Sequence, residues 1–241
     1  MHSYVDFEPM RAVVLFDIDG TLVTGPGASP SPGVRAMSAS AQHVTGRSEL
    51  HQRVEFAGRT DRQIARDLLA VGGTEYPSAA AIHGLLEGYV AALERAVRTR
   101  PYRPIGAVRD AVVALRTAGA AVGLGTGNMR RGASIKLASA GLLDLFDLDC
   151  GGYGDDAETR AELLEIGARK CDASGELPVV IVGDTPHDIV AARAIGAVCL
   201  AVATGCYDAA QLRAAGPAHV LDYLDATLVD VIRAVLAVTR P

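Results

Sequence analysis

Two acids, one residue apart, follow an apolar run in AVVLFDIDGTLV (12–23), and charge at the end of a buried strand is costly unless it is used. If the chain stays extended, Asp17 and Asp19 point to the same side, because side chains alternate. Two carboxylates pressed together repel, and one keeps its proton unless a cation is present. Mg²⁺ resolves the conflict, since it is a hard ion that takes oxygen ligands. An Asx-turn closed by Gly20 suits the same residues. An EF-hand loop does not fit, because Gly20 falls at loop position four and no acid follows at the required distance.

Two more strand-like runs end in small polar groups. In GTGN (125–128) the Thr126 hydroxyl and the amides of Gly127 and Asn128 precede a helical segment. That is either a phosphate seat or a plain helix cap by Thr126 or Asn128. No dinucleotide fingerprint is present, because residue 128 is Asn where the spacing counted from Gly123 needs glycine. A G-x-x-x-x-G-K-[ST] loop is missing too. In GDTPHD (183–188) Asp184 sits at a strand tip and reads as a metal ligand. Thr185 and Asp188 also fit a capping box around Pro186, so Asp188 has a capping role and a metal-site role open to it.

The elements that must position these groups alternate. Residues 12–16, 120–125, 178–183 and 197–203 are short apolar runs without two-residue alternation, as in strands covered on both faces. Helical spacing occupies 106–118, 130–140, 159–171, 187–195 and 225–238. The fold class is therefore α/β, a doubly wound parallel sheet. Residues 24–104 break the rhythm. TGPGASPSPG (24–33) reads as a linker, and only helical signals follow. Ser31 caps one helix, Asp61 a second, and a third runs from 78 to 99 with Ile82, Leu85, Leu86, Tyr89, Val90 and Leu93 as a packing stripe. The division is 1–23 with 105–241 as the α/β core and 24–104 as an inserted all-α unit.

Composition narrows the partners. A net charge of −5 with scattered basic residues argues against a nucleic-acid surface. No apolar segment is long enough to span a bilayer, and the N-terminus shows no leader pattern. Cys150, Cys171, Cys199 and Cys206 have no metal-like spacing and read as reduced thiols, which points to the cytoplasm.

With these residues in place, the whole chain resembles the haloacid dehalogenase (HAD) superfamily of phosphohydrolases with a small helical cap, similar to phosphoglycolate-phosphatase-like and phosphoglucomutase-like members. DIDGT looks like the first family motif, GTGN the second and GDTPHD the fourth. The resemblance implies a HAD-like core, Asp17 as nucleophile and Asp19 as general acid and base. It implies Mg²⁺ on Asp17, Asp184 and the backbone carbonyl of Asp19, with Asp188 behind these ligands. Thr126, Gly127 and Asn128 would hold phosphoryl oxygens. An acid at position 19 favours phosphate esters over carbon–halogen or phosphonate substrates.

The third motif departs from the family pattern. Where a Lys, often Lys-Pro, is expected, the chain reads GDDAETRAELL with Arg160. Lys136, on the helix after Thr126, is the other candidate, although ten helical residues would set it roughly 15 Å from the helix start. Both stay open. Arg59, in FAGRTDRQ (56–63), either faces an anionic or hydroxylated leaving group from the cap or stands in solvent beside a helix start. The expected activity is Mg²⁺-dependent hydrolysis of a small phosphorylated metabolite by a monomer or homodimer. A phosphomutase using the same acids is the alternative. A phospho-accepting receiver module has no room for an 80-residue helical insertion.

Overall fold

A computed structural model describes residues 9–27 and 30–239. The first eight residues, where the leader reading falls, and Ala28 and Ser29 of the 24–33 linker lie outside the described residues.

In chain order, β1 (Val13–Phe16) and β2 (Val23–Thr24) lead into α1 (Pro32–Thr45), α2 (Asp61–Val71) and α3 (Ala79–Thr99). Then come β3 (Arg103–Pro104), α4 (Val108–Thr117), β4 (Ala121–Gly125), α5 (Arg130–Ser139), β5 (Gly151–Gly152), α6 (Arg160–Cys171) and β6 (Val179–Gly183). The chain closes with α7 (Pro186–Ala194), β7 (Val198–Val202), α8 (Ala209–Ala215), β8 (His219–Leu221) and α9 (Leu228–Thr239). The main sheet has six parallel strands in the order β5-β4-β1-β6-β7-β8. The strand order reverses its growth at β1, where such sheets open a ligand crevice.

Alternate residues of β1 face opposite layers. Val14 and Phe16 join one apolar cluster with Val180, Val182, Leu115 and Leu137. Val13 and Leu15 join another with Ile181, Leu163, Leu164 and Ile189. Both faces are covered, which is why no polar alternation shows in the sequence. The α1–α3 helices pack on one another through Met37, Leu68, Leu85 and Leu93, continuous with the first cluster. They leave and rejoin the α/β layers through a two-stranded antiparallel ladder, Val23 with Pro104 and Thr24 with Arg103.

Local signals set most element ends. Ser31 caps α1, with Pro32 at its first position. For α2 the structure corrects the sequence: Thr60 is the cap, in a capping box with Gln63, and Asp61 is the first helical residue with its carboxylate turned elsewhere. β5 and β8 are too short and α8 too brief for their periodicity to show.

The cysteines require a second correction. Cys150 and Cys171 form a disulfide, while Cys199 is buried and free and Cys206 exposed and free. Packing of α6 against β5 joins residues 21 apart in sequence, a spacing that carries no pattern. The reading of all four cysteines as reduced thiols therefore fails for Cys150 and Cys171, and only Cys199 and Cys206 are free. No helix among the described residues is long and apolar enough to cross a membrane.

Candidate active site

Three neighbouring strands deliver the three polar ends to one edge. β1 lies in register between β4 and β6, with Phe16 opposite Leu124 and Val182. Asp17, Gly127, Asn128 and Asp184 consequently line a single cavity of about 500 Å³, together with Asp19, Lys136 and Arg160. That volume is in the range of small-molecule sites. Asp17 is buried, whereas the Asp19 side chain is 44 % exposed toward the cavity. Between them the chain turns back: the Leu22 and Val23 amides donate to the Ile18 carbonyl, and Gly20 adopts a φ of +79°. A side chain at position 20 would also collide with Asp184, so the turn requires glycine on both counts.

Each acid has its own cation. Arg160 Nη2 lies 3.0 Å from Asp17 Oδ2, Arg160 Nε donates to Asp188 Oδ1 at 2.8 Å, and Nη1 donates to the Gly58 carbonyl at 3.2 Å. Lys136 Nζ donates to Asp19 Oδ2 and to Asn128 Oδ1, both at 2.5 Å, and Asn128 Nδ2 donates to the same Asp19 oxygen at 2.8 Å. Burial opposes the charge on Lys136, but Asp19 with Tyr102, Tyr89 and Asp61 holds it well above the usual lysine range. The Tyr102 ring lies 5.6 Å from the ammonium.

The Lys136 and Arg160 candidates therefore do not compete for one place. The objection from distance fails because α5 begins only at Arg130. Six helical residues advance roughly 9 Å, within the span of a lysine stem folded back toward the helix start. Arg160, unfavourable by helix dipole at the start of α6, is held instead by two buried carboxylates.

Thr126 is fully buried, lies close enough to Asp17 to lower its pKa, and accepts from the Asn128 amide and side chain. Gly127 faces the cavity. A side chain there would strike the Arg59 carbonyl, so glycine lets the α1–α3 unit reach this loop. Arg59 also lines the cavity, but its Nη2 donates to Asp67 Oδ2 at 2.7 Å and its Nε to Gln63 Oε1 at 3.2 Å.

The acids suit a cation. Carboxylate oxygens of Asp17, Asp184 and Asp188 all lie within 4.8 Å of one another. Burial, with the neighbouring acids, pushes Asp17 up to about 6 against the pull of Arg160, and pushes Asp184 up to about 8. Asp188 is spent on Arg160 and on both the amide and hydroxyl of Thr185, so it fits the capping role and stands behind the other two. Asp184 accepts from the Thr21 hydroxyl at 3.1 Å, a contact that no sequence signal outside DIDGT announces. One buried donor, Arg160 Nη2, has no hydrogen-bond partner although it sits beside Asp17, so it can take an anionic oxygen.

A family model for haloacid dehalogenase-like hydrolases matches residues 12–196, which span every one of these groups. The chain belongs to that family. The hydrolase is 25 % identical over 217 residues to a protein of Dickeya dadantii (strain 3937) named "Probable phosphatase IndB", covering 88 % of this chain and 90 % of that one. Its fold resembles CbbY from Rhodobacter sphaeroides, solved in complex with phosphate, with a TM-score of 0.68, 17 % identity and coverage of 89 % and 95 % of the two chains. It also resembles a predicted phosphoglycolate phosphatase from Haemophilus somnus 129pt, with a TM-score of 0.62, 18 % identity and coverage of 92 % and 98 %.

Asp61 is a site feature that sequence reasoning missed in this hydrolase. Its amide donates to the Gly127 carbonyl at 2.8 Å and its Oδ2 accepts from the Met129 amide at 2.8 Å, so an α2 residue caps α5. Burial pushes Asp61 up to about 6, against the attraction of Lys136. A carboxyl whose folded value lies above its unfolded value of 3.8 loses stability as pH rises from about 4 through 6. Asp61→Asn keeps an acceptor for the Met129 amide and cannot ionise. Its unfolding free energy is expected to exceed that of the wild type at pH 8 by on the order of 2–3 kcal/mol, seen as a higher melting temperature, and to converge with it near pH 4. A gap unchanged between those pH values rules out this account of Asp61.

Proposed function

We propose that this hydrolase is a phosphatase releasing phosphate from a small phosphomonoester, with residues 24–104 acting as a cap over the core. The observation that carries the reading is the pair of acids in one cavity, each paired with a different cation, with Arg160 Nη2 standing 3.0 Å from Asp17 Oδ2 and making no hydrogen bond of its own.

Asp17 attacks phosphorus and the ester P–O bond breaks, giving an aspartyl-phosphate and an alcohol. Asp19 gives the leaving oxygen its proton, then takes one from the water that hydrolyses the intermediate. Lys136 and Asn128 both bond Asp19 through Oδ2, which fixes the carboxylate and leaves Oδ1 to exchange the proton. Arg160 Nη2 and the amide of Gly127 take phosphoryl oxygens. Thr126, with its hydroxyl engaged, orients Asp17 and Asn128. Asp17 and Asp184, with the Asp19 carbonyl, would hold Mg²⁺, which when bound neutralises phosphoryl charge.

The test is phosphate release from a panel of phosphorylated metabolites. Release is expected with Mg²⁺, is lost in EDTA and returns when Mg²⁺ is restored. Turnover undiminished by EDTA removes the metal from the proposal. Isomerisation of a sugar phosphate without free phosphate establishes the mutase instead.

A further inference from the structure

The cavity has two unlike ends. The core end is charged, whereas the wall contributed by α1, α2, α3 and the loop before α2 presents Val34, Met37, Phe56, Ile64 and Tyr89, with the Ser31 hydroxyl and the Asp61 carboxylate among them. Among the described residues, that wall holds one cation, Arg59, and its charge is already met by Asp67 at 2.7 Å. The two undescribed positions of the linker, Ala28 and Ser29, are uncharged. Lys136 and Arg160 belong to the reacting end, bound to Asp19, Asp17 and Asp188. A second anionic group on the substrate would lie among apolar side chains and the Asp61 carboxylate with no unpaired cation to meet it, which costs several kcal/mol.

We infer that the alcohol released by this enzyme is uncharged and has an apolar face, and that Asp67 sets this preference by holding Arg59 neutralised. The inference rests on the phosphatase reading and narrows its substrate class. It weighs against a carboxylate-bearing or bisphosphate substrate, and so against a mutase that must seat a second phosphate.

The experiment uses full-length enzyme with Mg²⁺ and two esters of similar size, phenyl phosphate and 4-carboxyphenyl phosphate. The carboxylate ester has the leaving group of slightly lower pKa, so a preference for the neutral ester reports the wall and not reactivity. kcat/KM for phenyl phosphate is expected to be at least about tenfold higher, the discrimination that a contact of roughly 1.4 kcal/mol supplies. Asp67→Asn, a half-exposed position, frees Arg59. It should raise kcat/KM for the carboxylate ester about fivefold or more and leave phenyl phosphate within twofold.

Calorimetry with phenylphosphonate and 4-carboxyphenylphosphonate reads the same preference without turnover. Equal or tighter binding of the charged phosphonate overturns the inference, as does an Asp67→Asn variant that treats both esters as the wild type does. Tighter binding of the neutral phosphonate with no phosphate released from either ester sustains the uncharged-ligand preference and overturns the phosphatase reading alone.

Discussion

Asp17→Asn is expected to abolish phosphate release, by more than about 10⁴-fold, in a protein that is at least as stable as the wild type. The amide matches the carboxylate in shape but is no nucleophile. The gain in stability has a separate source. Burial holds the Asp17 carboxyl at about 6, so ionising it opposes folding at neutral pH. The unfolded-state value is 3.8, and the wild type therefore loses stability as pH rises through that interval. The Asn variant does not. In EDTA at pH 7.5 its melting temperature should equal or exceed that of the wild type, while Mg²⁺ should raise the wild type more, because a proposed ligand is missing from the variant. Arg160 keeps Asp188 as a partner, so the variant does not strand a buried cation. Turnover surviving in Asp17→Asn ends the covalent mechanism.

Arg160→Ala carries the second large effect, on both stability and rate. Its guanidinium makes three separate contacts, to Asp188, Asp17 and the Gly58 carbonyl. Removing it leaves three buried acids within 4.8 Å of one another and no cation from the chain to balance them. Breaking a buried pair in this way costs about 3–5 kcal/mol. The variant should be most stable in mild acid, where Asp17 and Asp184 take protons, and Mg²⁺ should recover part of the loss at neutral pH. The phosphoryl group loses a charged donor, so the rate should fall about 10²–10³-fold even when the folded protein is assayed with Mg²⁺. Arg160→Lys restores one contact of the three and should recover stability before rate. Wild-type kinetics in Arg160→Ala would remove Arg160 from the site.

How much of this was legible depended on what local sequence encodes. Strand ends are local, so DIDGT, GTGN and GDTPHD announced the acids and the loop that meet at the centre of the sheet. The inserted helices were legible from Ser31, Ser78 and their apolar spacing. Lys136 and Arg160 were found but set against each other, because one dimension of chain gives no hint that two acids a residue apart are served from opposite sides. The roles of Thr60 and Asp61 were confused for a similar reason. Either residue starts a helix well, and only the hydrogen bond from the Met129 amide shows that the Asp61 carboxylate is used elsewhere. The Cys150–Cys171 pair was illegible, since 21 intervening steps of chain resemble no known framework.

Asp61 also ties α2 to the loop that carries Gly127. It grips the 127–129 loop twice, donating through its amide and accepting through its carboxylate, from a single rigid residue at the head of α2. Were the proposed cap to swing away from the core, both bonds would have to break, baring the Gly127 carbonyl and Met129 amide to water. On the proposed mechanism, that contact sets a cost of opening separate from the acids assigned to the chemistry.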